Sequence, residues 1–577
     1  MAAWKAAAWV AERATVTVLA RTLRVQRQLP GGTWVTLPSL IQSSWASSCW
    51  HWRKRARKAA IWAVEKRALG VRLGWVFTIS IYTVSWMPHS TPFFSPFRHL
   101  LFGKTPLSAI EKTLRAAHSF SLSQYHQAFA AFIPDACFPR AASGAHSRRR
   151  LFPALVTFWA FLAQTLERGS SCRSALSRIT AWWQAVNPAA TPPAADSGGY
   201  CAARARLEDA GLTGIATHLA RRLEGNLLTE ERWHGRHVKL VDGTSASMPD
   251  TAANQEAWPQ PSIQAPGCGF PVVRLVGLFS GPTGALLHLA SGPLQESEIA
   301  LARRELWPRL EPADVVLSDR GFCSYQDLHA IRAQGADAVV RLHSSRRADF
   351  RQGRRLGPDD RLVTWTKPRA RPAGCSAEAF AAWPATLSLR LVRYRIEVPG
   401  FRTKAVTLVT TLLDPVAFPV ADLAELYLQR WQVELHFREI KTLLGLDVLR
   451  CLSPAMVRKE IILQHIAYNL VRLLMQQAAH THHVPLRRIS FKGTLDRLEA
   501  FEGPLQAFRG QPKRQAQLLA TLLEVIARDL LPERPGRAEP RARKRRAKAY
   551  VLLTRGRGQK TTRRVYRPRK KIVPAQA

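Results

Sequence analysis

The sequence predicts an α/β fold in which helices flank a mixed sheet. Three apolar runs of strand length follow one another at 237–245, 271–280 and 285–293, and a Gly-Pro-Thr-Gly turn joins the last two. A helical pattern, ESEIALARRELWPRL, then leads to a fourth strand in ADVVLSDRGF. An order of three strands, helix and strand is typical of a mixed sheet, and we expect Asp242 and Asp319 to end two of its strands, with Gly243 making the turn.

Composition indicates a globular protein with a polyanionic partner. The chain has 577 residues, enough for three or four domains, and 46% of them are hydrophobic. Its 84 Lys and Arg residues against 41 Asp and Glu residues give a formal charge of +43. Such a charge favours nucleic acid as the partner, with an anionic membrane surface as the competitor. The sequence has no uninterrupted apolar run of about 20 residues that would span a membrane.

The eight cysteines are scattered, without CxxC or CxH spacing. This arrangement argues against a zinc site and against a disulfide framework. A reducing cytosol fits the cysteine pattern.

Residues 1–86 differ from the rest of the chain. They contain nine of the 18 tryptophans but only two acidic residues, Glu12 and Glu65. We interpret them as an atypical Trp-rich extension that is not required for function, with the working protein beginning near Met87. The apolar run at 73–87 is short and rich in Ser and Thr, which disfavours a transmembrane helix.

Residues 105–228 are predicted to form a helical domain. Apolar residues recur at helical spacing in SAIEKTLRAAHSF, LSQYHQAFAAFI, LFPALVTFWAFLAQTLE and SALSRITAWWQAV. A Pro/Ala/Gly linker at 187–199 separates these from YCAARARLEDAG and TGIATHLARRLEG. Such a domain can bind duplex DNA by placing one helix in a major groove. The alternative is that its helices only pack against the next domain, and the sequence does not choose between the two.

The chain is organised around the segment 422–445, DLAELYLQRWQVELHFREIKTLLG. Steps of three, four and seven residues bring Arg430, Glu434 and Lys441 within about 60° of Tyr427 around a helix. The segment is therefore predicted to be one helix with these four side chains on one face. Beside that face runs an apolar stripe suited to docking on a core. The stripe consists of Leu426, Val433, Phe437, Ile440 and Leu444, and Gly445 ends the helix.

Three carboxylates indicate that this helix contributes to a metal site and is not only a solvated surface helix. An Arg and a Glu four apart are usually an exposed ion pair, and a single Asp at a strand end is usually a turn or cap residue. Asp242 and Asp319 together with Glu434 on a facing helix, however, suit a pair of Mg²⁺ ions about 4 Å apart that act on phosphodiester oxygens.

The runs VDGTS, SDRGF and YLQRWQVELHFREIKTLLG, followed by LRCLSPAMVRKEIILQHIAYNLVRLLM, resemble DDE transposases of bacterial insertion sequences. The resemblance is to the group with a Tyr-x2-Arg-x3-Glu-x6-Lys signature, and it covers about 108–555. It implies a ribonuclease H-like catalytic core at 229–340 and 420–480, interrupted by a β-rich insertion at 341–419. A helical C-terminal region at 481–533 and a basic, disordered tail at 534–577 complete the predicted organisation.

The resemblance also implies an activity and a site. Asp242, Asp319 and Glu434 would bind two Mg²⁺ ions, with Mn²⁺ as a substitute, while Tyr427, Arg430 and Lys441 would hold DNA phosphates. The expected enzyme is a cut-and-paste DNA transposase. One metal ion would activate water at the transposon end, the other would stabilise the leaving oxygen, and the freed 3′-hydroxyl would attack target DNA. Its expected partners are double-stranded terminal repeats and target DNA, bound by a homodimer in the cytoplasm at the nucleoid and not at a membrane.

Several alternatives stay open at this point. The chain would instead be a catalytically inactive DNA-binding protein if it were a decayed copy or an element-end-binding regulator. Tyr427 would be a covalent nucleophile in a recombinase-like mechanism. Arg320 either touches phosphate or pairs with a carboxylate. His480, His482 and His483 are interpreted as cationic residues at a helix end rather than as metal ligands, and the basic tail as a source of salt-dependent DNA affinity.

Overall fold

The computed structural model describes residues 151–532 apart from 168, 187–188, 190, 397–404 and 509–510. It also describes Phe129, Phe132, Ile133 and three strands nearer the N-terminus. The predicted helices before residue 129, most of the extension and the tail at 534–577 lie outside these residues. Residues 1–90 are a separate unit. Its strands pair in antiparallel order, and they are β1 (Val16–Leu19), β2 (Thr22–Gln28) and β3 (Trp34–Thr36).

A nine-stranded mixed sheet dominates the second unit, with the order β6-β5-β4-β7-β8-β12-β11-β10-β9. Strand β7 pairs in parallel with β4 and with β8, and the other neighbours are antiparallel. The predicted mixed α/β sheet is therefore confirmed. The strands are β4 (His237–Ser247), β5 (Val272–Ser280), β6 (Leu286–Pro293), β7 (Asp314–Ser318), β8 (Asp337–Arg341), β9 (Arg354–Gly357), β10 (Asp360–Thr366), β11 (Thr386–Arg395) and β12 (Ala405–Thr410).

Helices cover both faces of this sheet. Alternation along β4 and β7 sends Leu240 and Leu317 into one core and Val241 and Val316 into the other. The first core contains apolar residues of α9 (Val420–Leu428) and α10 (Gln432–Arg438). The second contains those of α6 (Glu298–Leu301) and α7 (Tyr325–Ala333). Two short helices, α5 (Ala252–Ala257) and α8 (Ala377–Ala381), lie in the connections after β4 and β10.

The strands found in the predicted insertion continue the main sheet. β12 pairs antiparallel with β8 through Val409 and Val340, and β11, β10 and β9 follow outward. The strand-rich character of 341–419 agrees with the alternating apolar pattern of the sequence. The boundaries of a separate insertion stay a prediction.

In the described stretch from residue 151 onward, four helices precede the sheet, namely α1 (Ala154–Leu166), α2 (Cys172–Val186), α3 (Gly198–Arg206) and α4 (Asp209–Gly225). Apolar residues of α1 and α4 belong to the same core as β4 and the long helix α11 (Pro454–His482). Gln476 of α11 donates from Nε2 to the Leu223 carbonyl at 3.0 Å, and Lys239 of β4 pairs with Glu224 at 2.7 Å. These helices therefore pack against the sheet domain, and their DNA-binding role stays a prediction.

The described part of the chain ends with three helices, α11, α12 (Phe491–Ala507) and α13 (Pro512–Arg528). His480 and His482 lie in the last turn of α11, and His483 caps it in the left-handed conformation with φ 53°. The interpretation of these histidines as helix-end residues is confirmed. Among the described helices, none combines the length and apolar character needed to cross a bilayer.

Candidate active site

Strand register places Asp242 and Asp319 at the same level of the sheet. The last parallel pair between β4 and β7 is Leu240 with Leu317. Each aspartate follows its leucine by two residues, Asp242 within β4 and Asp319 directly after the end of β7. Both positions share the side-chain direction of the leucines, toward the face on which α9 and α10 pack. The two carboxylates therefore lie side by side where the parallel pairing ends.

One expectation about this edge is wrong. β4 does not end at Asp242, and Gly243 is not a turn residue, because the strand continues to Ser247. Its partner β5 extends equally far and places Gly277 opposite Asp242 and Val276 opposite Gly243. Only β7 stops, which leaves the carboxylate of Asp242 beside an open edge.

Each aspartate is oriented by a neighbouring backbone amide. Asp242 accepts at Oδ1 from the Gly243 amide at 2.8 Å. Asp319 accepts at Oδ1 from the Gly321 amide at 2.7 Å and so caps the 3₁₀ turn Arg320–Phe322. Arg320, the other basic residue predicted at the site, is exposed in this turn.

The segment 422–445 is helical, although it is not one uniform α-helix. A 3₁₀ turn, Gln429–Trp431, connects α9 to α10, and a π turn, Glu439–Leu443, continues to Gly445. Gly445 has φ 88°, so the predicted glycine terminus is confirmed. The predicted docking stripe is confirmed as well. Its residues Leu426, Val433, Phe437, Ile440 and Leu444 are all buried.

Arg430 connects the helix to the strand edge. Its guanidinium lies 3.8 Å from Asp242 Oδ2 and 3.3 Å from Glu434 Oε1, and its side chain is 13% exposed. Lys441, within the π turn, donates from Nζ to Thr244 Oγ1 on β4 at 3.0 Å. The structure thus brings both aspartates, Arg430, Glu434 and Lys441 to one end of the sheet.

Tyr427 occupies a different position from the one expected of a phosphate ligand. Its ring is buried, and its hydroxyl donates to the Ser318 carbonyl at 3.2 Å. Ser318 directly precedes Asp319 in the chain. Burial raises the pKa of this hydroxyl, with a smaller opposing effect from Arg430. The observed contact fixes the end of β7 to α9.

Burial raises the pKa of Asp242 to about 6. The Gly243 amide and Arg430 oppose this shift, whereas Asp319 and Glu298 increase it. Glu298 was not identified from the sequence, where an acid directly after Ser297 is typical of an ordinary helix N-terminus. Its effect on Asp242 shows that a fourth carboxylate lies within electrostatic reach of the site.

The donor atoms suit a hard divalent cation, because carboxylate oxygens are the preferred ligands of Mg²⁺. In the described part of the chain, no three His, Cys, Asp or Glu side chains lie close enough to hold one ion together. The Arg430 guanidinium instead lies between Asp242 and Glu434 and offsets part of their negative charge. A cation is therefore favoured at this position, and the residues fit a divalent ion in charge and donor type.

Replacing Asp242 with Asn is expected to stabilise the metal-free protein at high pH. The folded-state pKa of about 6 exceeds the ordinary value of 3.8, so ionisation costs stability as the pH rises between the two values. We expect the free energy of unfolding of Asp242→Asn to exceed that of wild type by about 1–3 kcal/mol at pH 8, and by less than about 1 kcal/mol at pH 4. Urea denaturation in EDTA measures both, with exposed Asp250→Asn as control. A gain that does not change with pH would contradict the assigned shift.

Comparison with known proteins identifies the class of this domain. Residues 233–470 match the family model described as "Transposase DDE domain", a stretch that includes the site. The chain is 27% identical over 407 residues to the transposase InsG for insertion sequence element IS4 of Escherichia coli (strain K12). That alignment covers 70% of this chain and 88% of the relative. Residues 233–470 thus match a transposase DDE domain, and the resemblance to DDE transposases of insertion sequences is confirmed.

A solved piggyBac transposase synaptic complex with hairpin DNA is also similar. It has 12% sequence identity and a TM-score of 0.34, with 73% of this chain and 86% of that chain covered.

Proposed function

We propose that this chain is a DNA transposase that cleaves DNA at the ends of a transposable element and joins the freed 3′-hydroxyl to target DNA. The observation that carries the proposal is the meeting of Asp242, Asp319 and the Arg430–Glu434 pair at one end of the sheet. All of them lie within the stretch that matches the transposase DDE domain. The order and directions of β4 to β8 support a ribonuclease H-like core.

The three carboxylates are assigned to metal binding. Asp242, Asp319 and Glu434 would hold two Mg²⁺ ions, for which Mn²⁺ would substitute. When bound, such ions lower the pKa of water and stabilise charge on the attacking and leaving oxygens of a phosphodiester. The Gly243 and Gly321 amides orient the aspartates for this task.

Basic residues around the carboxylates are assigned to DNA phosphates. The planar guanidinium of Arg430 can donate two parallel hydrogen bonds to a phosphate, and Lys441 offers a point charge next to β4. Arg320 is exposed beside Asp319, so it can contact phosphates of the same DNA strand. The partner is double-stranded DNA, both the terminal repeats and the target, and cutting two ends together favours a homodimer on DNA.

Tyr427 is assigned to positioning through its contact with the Ser318 carbonyl. Tyr427→Phe is therefore expected to lower cleavage by about 2–10-fold, the effect of losing one hydrogen bond of about 0.5–1.5 kcal/mol. If Tyr427 were instead a covalent nucleophile, Tyr427→Phe would abolish cleavage. The wild-type protein would then form a covalent protein–DNA adduct. Single-turnover cleavage and denaturing gels for the adduct distinguish the two, with wild type as reference.

A joining assay tests the proposed function as a whole. Wild-type protein, Mg²⁺, linear DNA carrying the element's terminal repeats and a supercoiled target plasmid should yield plasmids with the repeats covalently attached. DNA with scrambled repeats is the control. Binding of the repeats without cleavage or joining would favour the alternative, a decayed copy or an end-binding regulator.

A further inference from the structure

Arg472 of α11 contacts the buried side of the helical segment 432–443. Its Nη2 donates to His436 Nδ1 at 2.9 Å, and its Nε donates to the Tyr468 hydroxyl at 3.1 Å. That hydroxyl donates in turn to the Gly284 carbonyl at 2.8 Å. One buried guanidinium therefore joins α11, the turn between β5 and β6, and the segment that belongs to the proposed active site.

This contact lies on the opposite side of the segment from the proposed site. His436 follows Glu434 by two residues, about 200° around a helix, and its ring stacks on Phe279. Glu439 begins the π turn two residues before Lys441, and its carboxylate lies 3.4 Å from His436 Nδ1. Contacts to the buried side therefore fix the direction in which Glu434 and Lys441 project.

Electrostatics adds to these hydrogen bonds. Burial alone would raise the pKa of Glu439, but the Arg472 guanidinium holds it below its usual value, and His436 acts in the same direction. Burial lowers the pKa of His436 and Arg472 lowers it further, so the neutral ring accepts at Nδ1. Arg472 thus provides the positive charge that keeps the Glu439 carboxylate ionised inside the protein.

Gly284 makes room for the guanidinium. Its φ of 65° is in the left-handed region, and a Cβ added there would overlap Arg472 Nη2. The same turn is held to α11 at a second point, because Asn469 accepts from the Leu286 amide at 2.9 Å and donates to the Leu286 carbonyl at 2.8 Å. The turn therefore directs Arg472 toward His436.

We propose that Arg472 is a positioning residue of the active site, which sets the orientation of the segment that carries Glu434 and Lys441; this inference rests on the proposed function. A π turn contains more residues than an α-helical turn, so it shifts Lys441 around the helix axis relative to Glu434. Arg472 acts on both sides of this change, on α10 through His436 and on the π turn through Glu439.

Two variants that disturb the contact from opposite ends test the proposal. His436→Phe keeps an aromatic ring beside Phe279 but removes the acceptor for Arg472. Gly284→Ala keeps both partners and places a methyl group where the guanidinium lies. Each is expected to lower the single-turnover rate of terminal-repeat cleavage, at saturating DNA, by about 10–100-fold, as misplacement by about 1 Å does.

Three matched variants separate positioning from stability. Gly374→Ala introduces similar backbone strain at φ 77°, but its Cβ would meet open space among the described residues, so it should cleave at the wild-type rate. His436→Asn restores an acceptor near Nδ1 and should recover most of the rate lost in His436→Phe. The double variant Gly284→Ala/His436→Phe should be no slower than the slower single variant, because both act through Arg472.

Hydrogen exchange measured by mass spectrometry gives a readout independent of catalysis. Amides of residues 432–445 should exchange faster in Gly284→Ala than in wild type, and at the wild-type rate in Gly374→Ala. Wild-type cleavage and exchange in both His436→Phe and Gly284→Ala would overturn the role of Arg472 and leave the proposed function standing. So would a loss of cleavage that urea denaturation explains by a smaller folded fraction. If wild type itself fails to cleave, the proposed function fails, and with it the role of Arg472 in cleavage, whatever the exchange rates.

Discussion

Glu434→Gln is expected to lower the rate of DNA cleavage by at least about 100-fold, since even residues that only support a metal ligand contribute about 10–100-fold. The Glu434 side chain is 45% exposed, and its carboxylate contacts Arg430, which lies one turn earlier in the same helical segment. Gln keeps the size of the side chain and removes its charge, so the fold should be unaffected. Cleavage of linear DNA carrying the terminal repeats, with Mg²⁺, measures the loss.

The matched control for this variant is Glu425→Gln. Glu425 is exposed on α9, two turns before Glu434, and outside the proposed site. The Glu425→Gln variant should cleave DNA at the wild-type rate. Equal cutting by wild type and Glu434→Gln would remove Glu434 from the proposed site.

Arg390→Met is expected to destabilise the protein by about 3–5 kcal/mol, the cost of leaving one partner of a buried ion pair without the other. Arg390 is fully buried on β11 and binds Asp360 of β10 through two hydrogen bonds, at 2.8 and 2.6 Å. Met fills similar volume but leaves the Asp360 carboxylate buried without its counter-ion. Urea denaturation at pH 7 measures the change in the free energy of unfolding.

A neighbouring ion pair supplies the control. Arg393, three residues later on β11, pairs with Asp359, but these side chains are 45% and 42% exposed. Arg393→Met should therefore cost less than about 1 kcal/mol, as exposed pairs do. Similar losses in the two variants would show that burial of the Arg390 pair adds nothing to stability.

Arg390 also affects the site at a distance. Its Nη1 donates to the carbonyls of Asp414 at 3.2 Å and Phe418 at 2.7 Å, in the segment that leads into α9. The start of the helical segment 422–445, which carries Arg430 and Glu434 farther along, is thereby fixed to the outer strands. Loss of Arg390 should consequently lower cleavage as well as stability.

Local patterns were sufficient for much of this architecture. Apolar runs and a Gly-Pro-Thr-Gly turn predicted the strands that became β4 to β7, and helical spacing predicted the buried stripe from Leu426 to Leu444. Both signals depend only on residues close together in the chain. The same spacing predicted that Arg430 and Glu434 share a face, and they form an ion pair in the structure.

Features that depend on distant partners were missed. The continuation of β4 past Asp242 follows from the length of β5, which no residue near Asp242 indicates. The Tyr427 hydroxyl binds a carbonyl 109 residues away, so its burial had no sequence signal. Glu298 looked like a helix-start acid, and only the packing of α6 against Gly243 brought it to the strand edge.

The position of Arg430 between two acids has a thermodynamic consequence. In the free protein the guanidinium serves as an internal counter-ion for Asp242 and Glu434. An anionic ligand that withdraws it leaves both carboxylates uncompensated, and their attraction for an external cation rises. By reciprocity, the cation then strengthens binding of that ligand by the same factor. Affinities for polyanion and divalent cation measured separately should therefore both be weaker than those measured together.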